Sequence, residues 1–133
     1  MTLEKKAMKP VHISGEEKLK QPGSRRAWGS QVWLATRALT GSSLSLTRMI
    51  VAPGHSGEAH RHPNADEVIY LIEGQVEVRA GSETFPLKAT DALAIPGGLS
   101  HQIHNAGTED AELLIAYSTG DREYAPESGV ETG

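Results

Sequence analysis

Residues 54–74 read Gly54-His-Ser-Gly-Glu-Ala-His60-Arg-His62-Pro-Asn-Ala-Asp-Glu67-Val-Ile-Tyr-Leu-Ile-Glu-Gly74, and parity along this stretch constrains the rest of the chain. In extended backbone, alternate side chains point the same way, so His60 and His62 face together. Glu67 has the opposite parity to both and cannot share their face on one unbroken strand. Pro63-Asn64 supplies a break at which the chain turns a corner. Glu67 then opens a new strand facing back toward the histidines. Two imidazoles and a carboxylate converging in this way make a metal-ligand set.

A second segment reads Pro96-x-Gly98-x2-His101-x3-Asn105. His101 follows a Pro-Gly-Gly turn and begins another strand. It reaches the first cluster only if the sheet is closed or curled. The strand pattern agrees with that requirement. Short apolar runs recur at Val32–Arg37, Leu44–Val51, Glu67–Glu73, Gln75–Ala80, Glu83–Lys88, Ala92–Ile95, Ser100–Asn105 and Ala111–Ser118. Gly, Pro, Asn and Asp separate them, and no segment keeps a helical period beyond a possible turn of helix near Ser14. Leu44, Leu46 and Ile50 share one face of their run, interrupted by Arg48. Glu67–Glu73 is apolar on both faces, as in a buried strand. The expected class is all-β, a sandwich or barrel.

The chain has 133 residues, enough for one domain and one real core. Its formal net charge is −4 and no basic stripe exists, which argues against nucleic acid as a partner. There are no cysteines, so disulfides, thiolate zinc sites, iron–sulfur clusters and thiol nucleophiles are excluded. Met1 to His12 has no apolar run of the secretory type, and no stretch approaches the length of a membrane span. A cytoplasmic location is the expectation. Residues 1–28 read as a polar N-terminal arm, 29–118 as the β-domain, and the Gly- and Glu-rich residues 119–133 as a flexible C-terminal tail.

The two segments resemble the paired signature motifs of the cupin family, a small β-barrel of jelly-roll type. The first motif is complete as Gly54, His60, His62, Glu67 and Gly74, a coincidence with odds on the order of 10⁻⁷ at one start site. The second is present as Pro96, Gly98, His101 and Asn105, with Thr90 where the family opens the motif with Gly. The resemblance covers roughly residues 32–118. It implies a single-domain barrel in which His60, His62, Glu67 and His101 hold one divalent transition metal: Fe, Mn, Ni, Co or Zn. Four protein ligands leave positions open on a six-coordinate ion.

Other residues carry weaker expectations. Arg48 is a candidate for holding a substrate carboxylate through its planar fork. Glu67 is a candidate proton acceptor, and Tyr70 a candidate hydrogen-bonding group in the pocket. His55 reads as a loop residue. His104, of opposite parity to His101, should point away from the metal, and Asn105 should close the turn after its strand. Trp28 and Trp33 read as core or subunit-contact residues, and with the polar arm they suggest a homodimer. Glu58 and Asp66 read as loop residues, with Asp66 a possible support for the ligands.

Three functions fit a site of this type. The first is a metal-dependent oxygenase, dioxygenase-like, acting on a small enolised or phenolic substrate. The second is a non-redox isomerase, cyclase, lyase or decarboxylase on a small sugar acid or ketide, with the metal as Lewis acid. The third is a binding module for a small ligand. Fold alone does not choose among them.

Overall fold

Each short apolar run becomes a strand, and the turn residues between runs decide which strands meet. The computed structural model describes residues 9–127. In chain order the elements are α1 (Gly15–Leu19), β1 (Arg25–Arg26), β2 (Gly29–Ala35), α2 (Arg37–Thr40), β3 (Ser45–Val51), β4 (His60–Arg61), β5 (Glu67–Glu73), β6 (Gln75–Ala80), β7 (Glu83–Lys88), β8 (Ala92–Ile95), β9 (His101–Asn105), β10 (Ala111–Tyr117) and β11 (Ala125–Pro126). One sheet has the order β1-β2-β3-β10-β5-β8 and the other β11-β4-β9-β6-β7. All pairings within them are antiparallel. This is the expected all-β jelly roll.

The core lies between the sheets. Val51, Ile69, Leu71, Leu113 and Ile115 from the first sheet meet Val76, Val78 and Ile103 from the second. Two expectations about facing reverse here. On β3 the inward residues are Ser45, Thr47, Met49 and Val51, so Leu46, Arg48 and Ile50 lie on the outer face. On β5 only Glu67, Ile69 and Leu71 point inward, while Val68 and Tyr70 are exposed. An apolar residue on a sheet's outer face leaves the same mark in the sequence as one in the core.

Turn chemistry holds the register. Gly74 joins β5 to β6 at φ +95°, and a Cβ there would come within 2.8 Å of the Ala111 Cα. Thr90 has φ +79°, the only positive value at a non-glycine among the described residues. The backbone therefore keeps the left-handed conformation that glycine suits, with a β-branched residue in it. Asp91 braces this turn by accepting from the Lys88 N–H at 2.9 Å.

The termini depart from expectation. Ser14 caps α1 by accepting from the Glu17 N–H at 3.1 Å, and α1 packs on β2. β1 extends the first sheet as an edge strand. Residues 9–28 are thus part of this chain's own fold, not a separate arm. Residues 119–127 are not a loose tail. They fold back along the second sheet, where β11 pairs with β4. Asn64 accepts from Glu123 N–H at 2.7 Å and donates to the Asp121 carbonyl at 3.0 Å. Arg37 pairs with Asp121 at 2.5 Å, and Glu127 accepts from Arg79 and Ser100, each at 2.7 Å. Residues 1–8 and 128–133 of the two terminal segments lie outside the described residues.

Candidate metal centre and the cavity above it

Sheet register completes what parity began. β4 pairs with β9 so that His60 stands directly opposite His101. Pro63 and Asn64 form the expected turn, and Glu67 opens β5 on the facing sheet. The structure brings all four predicted ligands together between the sheets. One ring nitrogen from each of His60, His62 and His101 lies within 4.8 Å of the others. Glu67 Oε1 is 3.0 Å from His101 Nε2 and 3.3 Å from His62 Nε2.

The outer nitrogens fix the orientation of every ring. Nδ1 of His60 donates to the Glu58 carbonyl at 2.6 Å, Nδ1 of His62 to the Glu123 carbonyl at 2.9 Å, and Nδ1 of His101 to the Leu99 carbonyl at 2.9 Å. A carbonyl only accepts, so each Nδ1 carries a proton, and in the neutral ring Nε2 offers its lone pair inward. His62 Nε2, His101 Nε2 and Glu67 Oε1 are buried and engage in no directed hydrogen bond. Leaving such atoms unpaired is costly. Neighbouring ligands on an ion with bonds of about 2.1 Å lie roughly 3 Å apart, so the donor set and its spacing fit a transition-metal ion.

The electrostatics reflect this crowding. Burial drives the His60 imidazole down to about 4, its bond to the Glu58 carbonyl offsetting only part of the effect. Burial alone would raise Glu67, but when the facing His101 and His62 rings take up protons, their inward N–H groups and charge reverse the sign and hold it at about 2. For His101, burial is likewise outweighed, here by Glu67, and the imidazole is raised.

Above His60 opens a cavity of about 290 Å³. Trp28, Trp33, Tyr117, Tyr124, Met49 and Ile103 give it largely apolar walls, and Arg26, Gln31, Glu58 and Arg122 supply the polar groups. Tyr124 stacks on His60, with ring centroids 4.7 Å apart, and its hydroxyl donates to the Glu58 carboxylate. Tyr117 and His62 pack in a T-shaped pair with ring centroids 4.9 Å apart. Burial raises both phenols, assisted at Tyr117 by the Glu67 charge and at Tyr124 by Glu58, so both stay neutral near pH 7. Trp28 and Trp33 are partly buried against the core as well as lining the cavity.

The remaining candidates lie elsewhere. Arg48 pairs with Glu112 at 2.6 Å on the outer face and is not a cavity residue. Tyr70 is on the outer face of β5 and also misses the cavity. Tyr70 has the opposite parity to Glu67, as its spacing implies, and Arg48, next to inward Thr47, is a paired structural arginine and not a substrate contact. His55 is an exposed loop residue. His104 points away from the site and bonds Ser56 at 2.7 Å. Asn105 is buried and closes its turn, donating to the Val51 and Glu109 carbonyls and accepting from Gly107, each at 2.8 Å. Asp66 accepts from Gly97 N–H at 2.9 Å, tying the corner before Glu67 to the Pro96-Gly97 turn. Glu58 is more than a solvated loop residue, since its carbonyl holds His60 and its carboxylate holds Tyr124.

Sequence reasoning missed Tyr117, Arg122 and Tyr124. Tyr117 was within reach, since it shares the inward parity of Leu113 and Ile115 on β10. Arg122 and Tyr124 carried no periodic signal and lie in the segment read as a tail.

A family profile described as "Cupin domain" matches residues 47–117. The chain belongs to the cupin family. Among curated proteins, this cupin is 32% identical over 98 residues to "Polyketide synthase CurC" of Streptomyces cyaneus, covering 74% of this chain and 64% of that protein. It is 32% identical over 97 residues to "Tetracenomycin polyketide synthase protein TcmJ" of Streptomyces glaucescens, covering 73% and 65%. The cupin therefore spans just under two-thirds of the length of these relatives. Among solved structures, Lactobacillus farciminis oxalate decarboxylase in a formate complex superposes with a TM-score of 0.74 at 21% identity. That match covers 82% of this chain and 34% of the decarboxylase chain, and it shows the shared fold. Among the described residues, no helix is long and apolar enough to cross a membrane.

Proposed function

We propose that this cupin holds one divalent transition metal through His60, His62, Glu67 and His101 and is a metal-dependent oxygenase of small planar substrates. The observation that carries the metal reading is the set of buried, unpaired donor atoms on His62, His101 and Glu67, with each Nδ1 tied to a carbonyl. The cavity supports the substrate reading. Its volume is near the lower end for small-molecule sites, enough for one or two rings. Its aromatic walls favour a flat molecule and exclude water around it. When bound, the ion supplies Lewis-acid or redox activation of the substrate's oxygen atoms.

The protein's own residues do the rest. Tyr124 and Tyr117 brace His60 and His62 from the cavity side. Both phenols stay protonated, Glu58 is engaged by Tyr124, and Glu67 is held as the carboxylate. The cavity therefore offers few side chains for moving protons, which lyase or cyclase chemistry needs and oxygenation needs less.

One observation favours a non-redox alternative. The relatives CurC and TcmJ are named as polyketide synthase proteins, and a ketide enolises readily, so metal-assisted cyclisation or isomerisation is the second reading. The discriminating experiment loads the purified protein with Fe(II), Mn(II), Ni(II) or Zn(II) and offers enolisable and phenolic one- and two-ring substrates. Oxygen uptake with a redox metal supports the oxygenase. Turnover with zinc under nitrogen supports the second reading, and saturable binding with no turnover under either condition contradicts both.

A further inference from the structure

Arg122 stands apart among the charged groups of the cavity. Its guanidinium carbon lies 4.7 Å from the Trp33 ring centroid, 5.0 Å from Tyr117 and 5.5 Å from Tyr124, so aromatic faces enclose it. Its Nε is buried and has no hydrogen-bond partner. Among the described residues, no carboxylate lies within ion-pairing distance of it. One terminal nitrogen lies 3.4 Å from His62 Nδ1, an atom that already donates to Glu123, and the guanidinium also interacts with the neutral Tyr117 side chain. Arg26 also lines the cavity, but its guanidinium is exposed and spends its donors on the Gly23 and Arg25 carbonyls.

A half-buried guanidinium whose Nε is shielded from water and which has no acid beside it is unfavourable unless a ligand completes it. The aromatic faces offset part of that cost and hold the fork in one orientation. We propose that Arg122 is a substrate-binding residue that receives the carboxylate of a planar aromatic or enolic acid. The proposal rests on the cavity reading above and names its substrate class. A divalent ion with Glu67 retains one positive charge, and Arg122 adds another at the Nδ1 edge of His62. An anion whose carboxylate meets Arg122 and whose flat body lies against the aromatic walls matches that charge and shape. The fork of Arg122 suits a carboxylate better than a single phenolate oxygen.

The test compares two ligands of one shape, benzoate and benzamide, which differ by one charge. Both of the chain's two tryptophans line the cavity, so intrinsic fluorescence reports occupancy, and titration calorimetry gives the affinities. The native chain should bind benzoate about 10-fold or more tightly than benzamide, with or without zinc. Arg122→Gln should lower that preference to less than about 3-fold, and Arg122→Lys should fall between. Arg48→Gln, on the outer face, should keep the preference, which separates Arg122 from the loss of a positive charge in general. Circular dichroism and zinc stoichiometry establish that each variant is folded.

Equal binding of the two ligands by the native chain overturns the proposal, as does an undiminished preference in Arg122→Gln. A preference that persists while no metal binds contradicts the metal reading and leaves this inference standing. Full metal binding with no Arg122-dependent preference does the reverse.

Discussion

Replacing Glu67 by Gln changes one atom at the centre of the site and separates its two roles. In the metal-free protein the carboxylate is buried between His101 and His62, at 3.0 and 3.3 Å, and is held at about 2 instead of 4.5. A displacement of that size corresponds to about 3 kcal/mol favouring the charged form in the fold. Because the folded value is depressed, this contribution is present above pH 4.5 and is lost as pH falls toward 2. Glutamine keeps the shape and offers one N–H to an imidazole lone pair, so it recovers part of the loss. Glu67→Gln should therefore be less stable than the native chain by about 1–3 kcal/mol at pH 7 without metal, and the gap should narrow below pH 4.5 and close near pH 2. A metal that binds only the folded state adds about 3 kcal/mol at a concentration 100 times its Kd. At that same metal concentration a tenfold loss of affinity halves the gain, so the variant should gain no more than about 1.4 kcal/mol. Urea unfolding followed by far-UV circular dichroism, with chelator and with saturating zinc, measures both effects. Native-like stability at pH 7 combined with a native-like gain from zinc would refute the reasoning.

Thr90→Gly should stabilise the protein by about 1 kcal/mol, because relief of left-handed strain at a β-branched residue exceeds the added freedom of the unfolded chain; thermal unfolding measures it. Asn64→Ala removes the side chain that fixes the Asp121–Glu123 backbone, and with it the carbonyl that orients His62. Metal affinity should fall about 10-fold, as read by competition with a chelating dye. Arg48→Met should leave metal stoichiometry and cavity binding unchanged and shift stability by less than about 1 kcal/mol, since Arg48 and Glu112 form a partly exposed pair on the outer face. His60 is lowered to about 4, so the unfolded chain takes up a proton below pH 6.5 that the fold refuses. Metal-free stability should thus lose as much as about 3 kcal/mol to this group between pH 6.5 and 4, and His60→Gln should remove that share of the slope in urea unfolding.

The strands were legible because turn residues punctuate them. Glu67–Glu73, Gln75–Ala80, Glu83–Lys88 and Ala92–Ile95 fall where the apolar runs placed them. The corner at Pro63-Asn64 was legible from parity, since no straight strand lets Glu67 face His62. Facing was harder. Leu46, Ile50, Val68 and Tyr70 are apolar residues on outer faces, and pattern alone does not distinguish them from core. This is why Arg48 and Tyr70 drew attention that Tyr117 deserved. The upper wall of the site was not legible at all. Arg122 and Tyr124 reach it because Asn64, Arg79 and Ser100 capture the backbone and side chains of residues 121–127, and those are contacts between segments far apart in sequence. A Gly- and Glu-rich composition describes local preference and says nothing about such capture.

His60, His62, Glu67 and His101 are proposed to hold one metal ion. The most direct measurement is elemental analysis of protein purified without added metal and of protein reloaded with Mn(II), Fe(II) and Zn(II) after chelation, alongside His62→Ala, His101→Ala and Glu67→Gln. The account predicts close to one equivalent of a transition metal in the native chain, and at least a tenfold loss of affinity in each folded variant. Binding well below one equivalent in the native chain under saturating metal, or native-like binding in the variants, would contradict it.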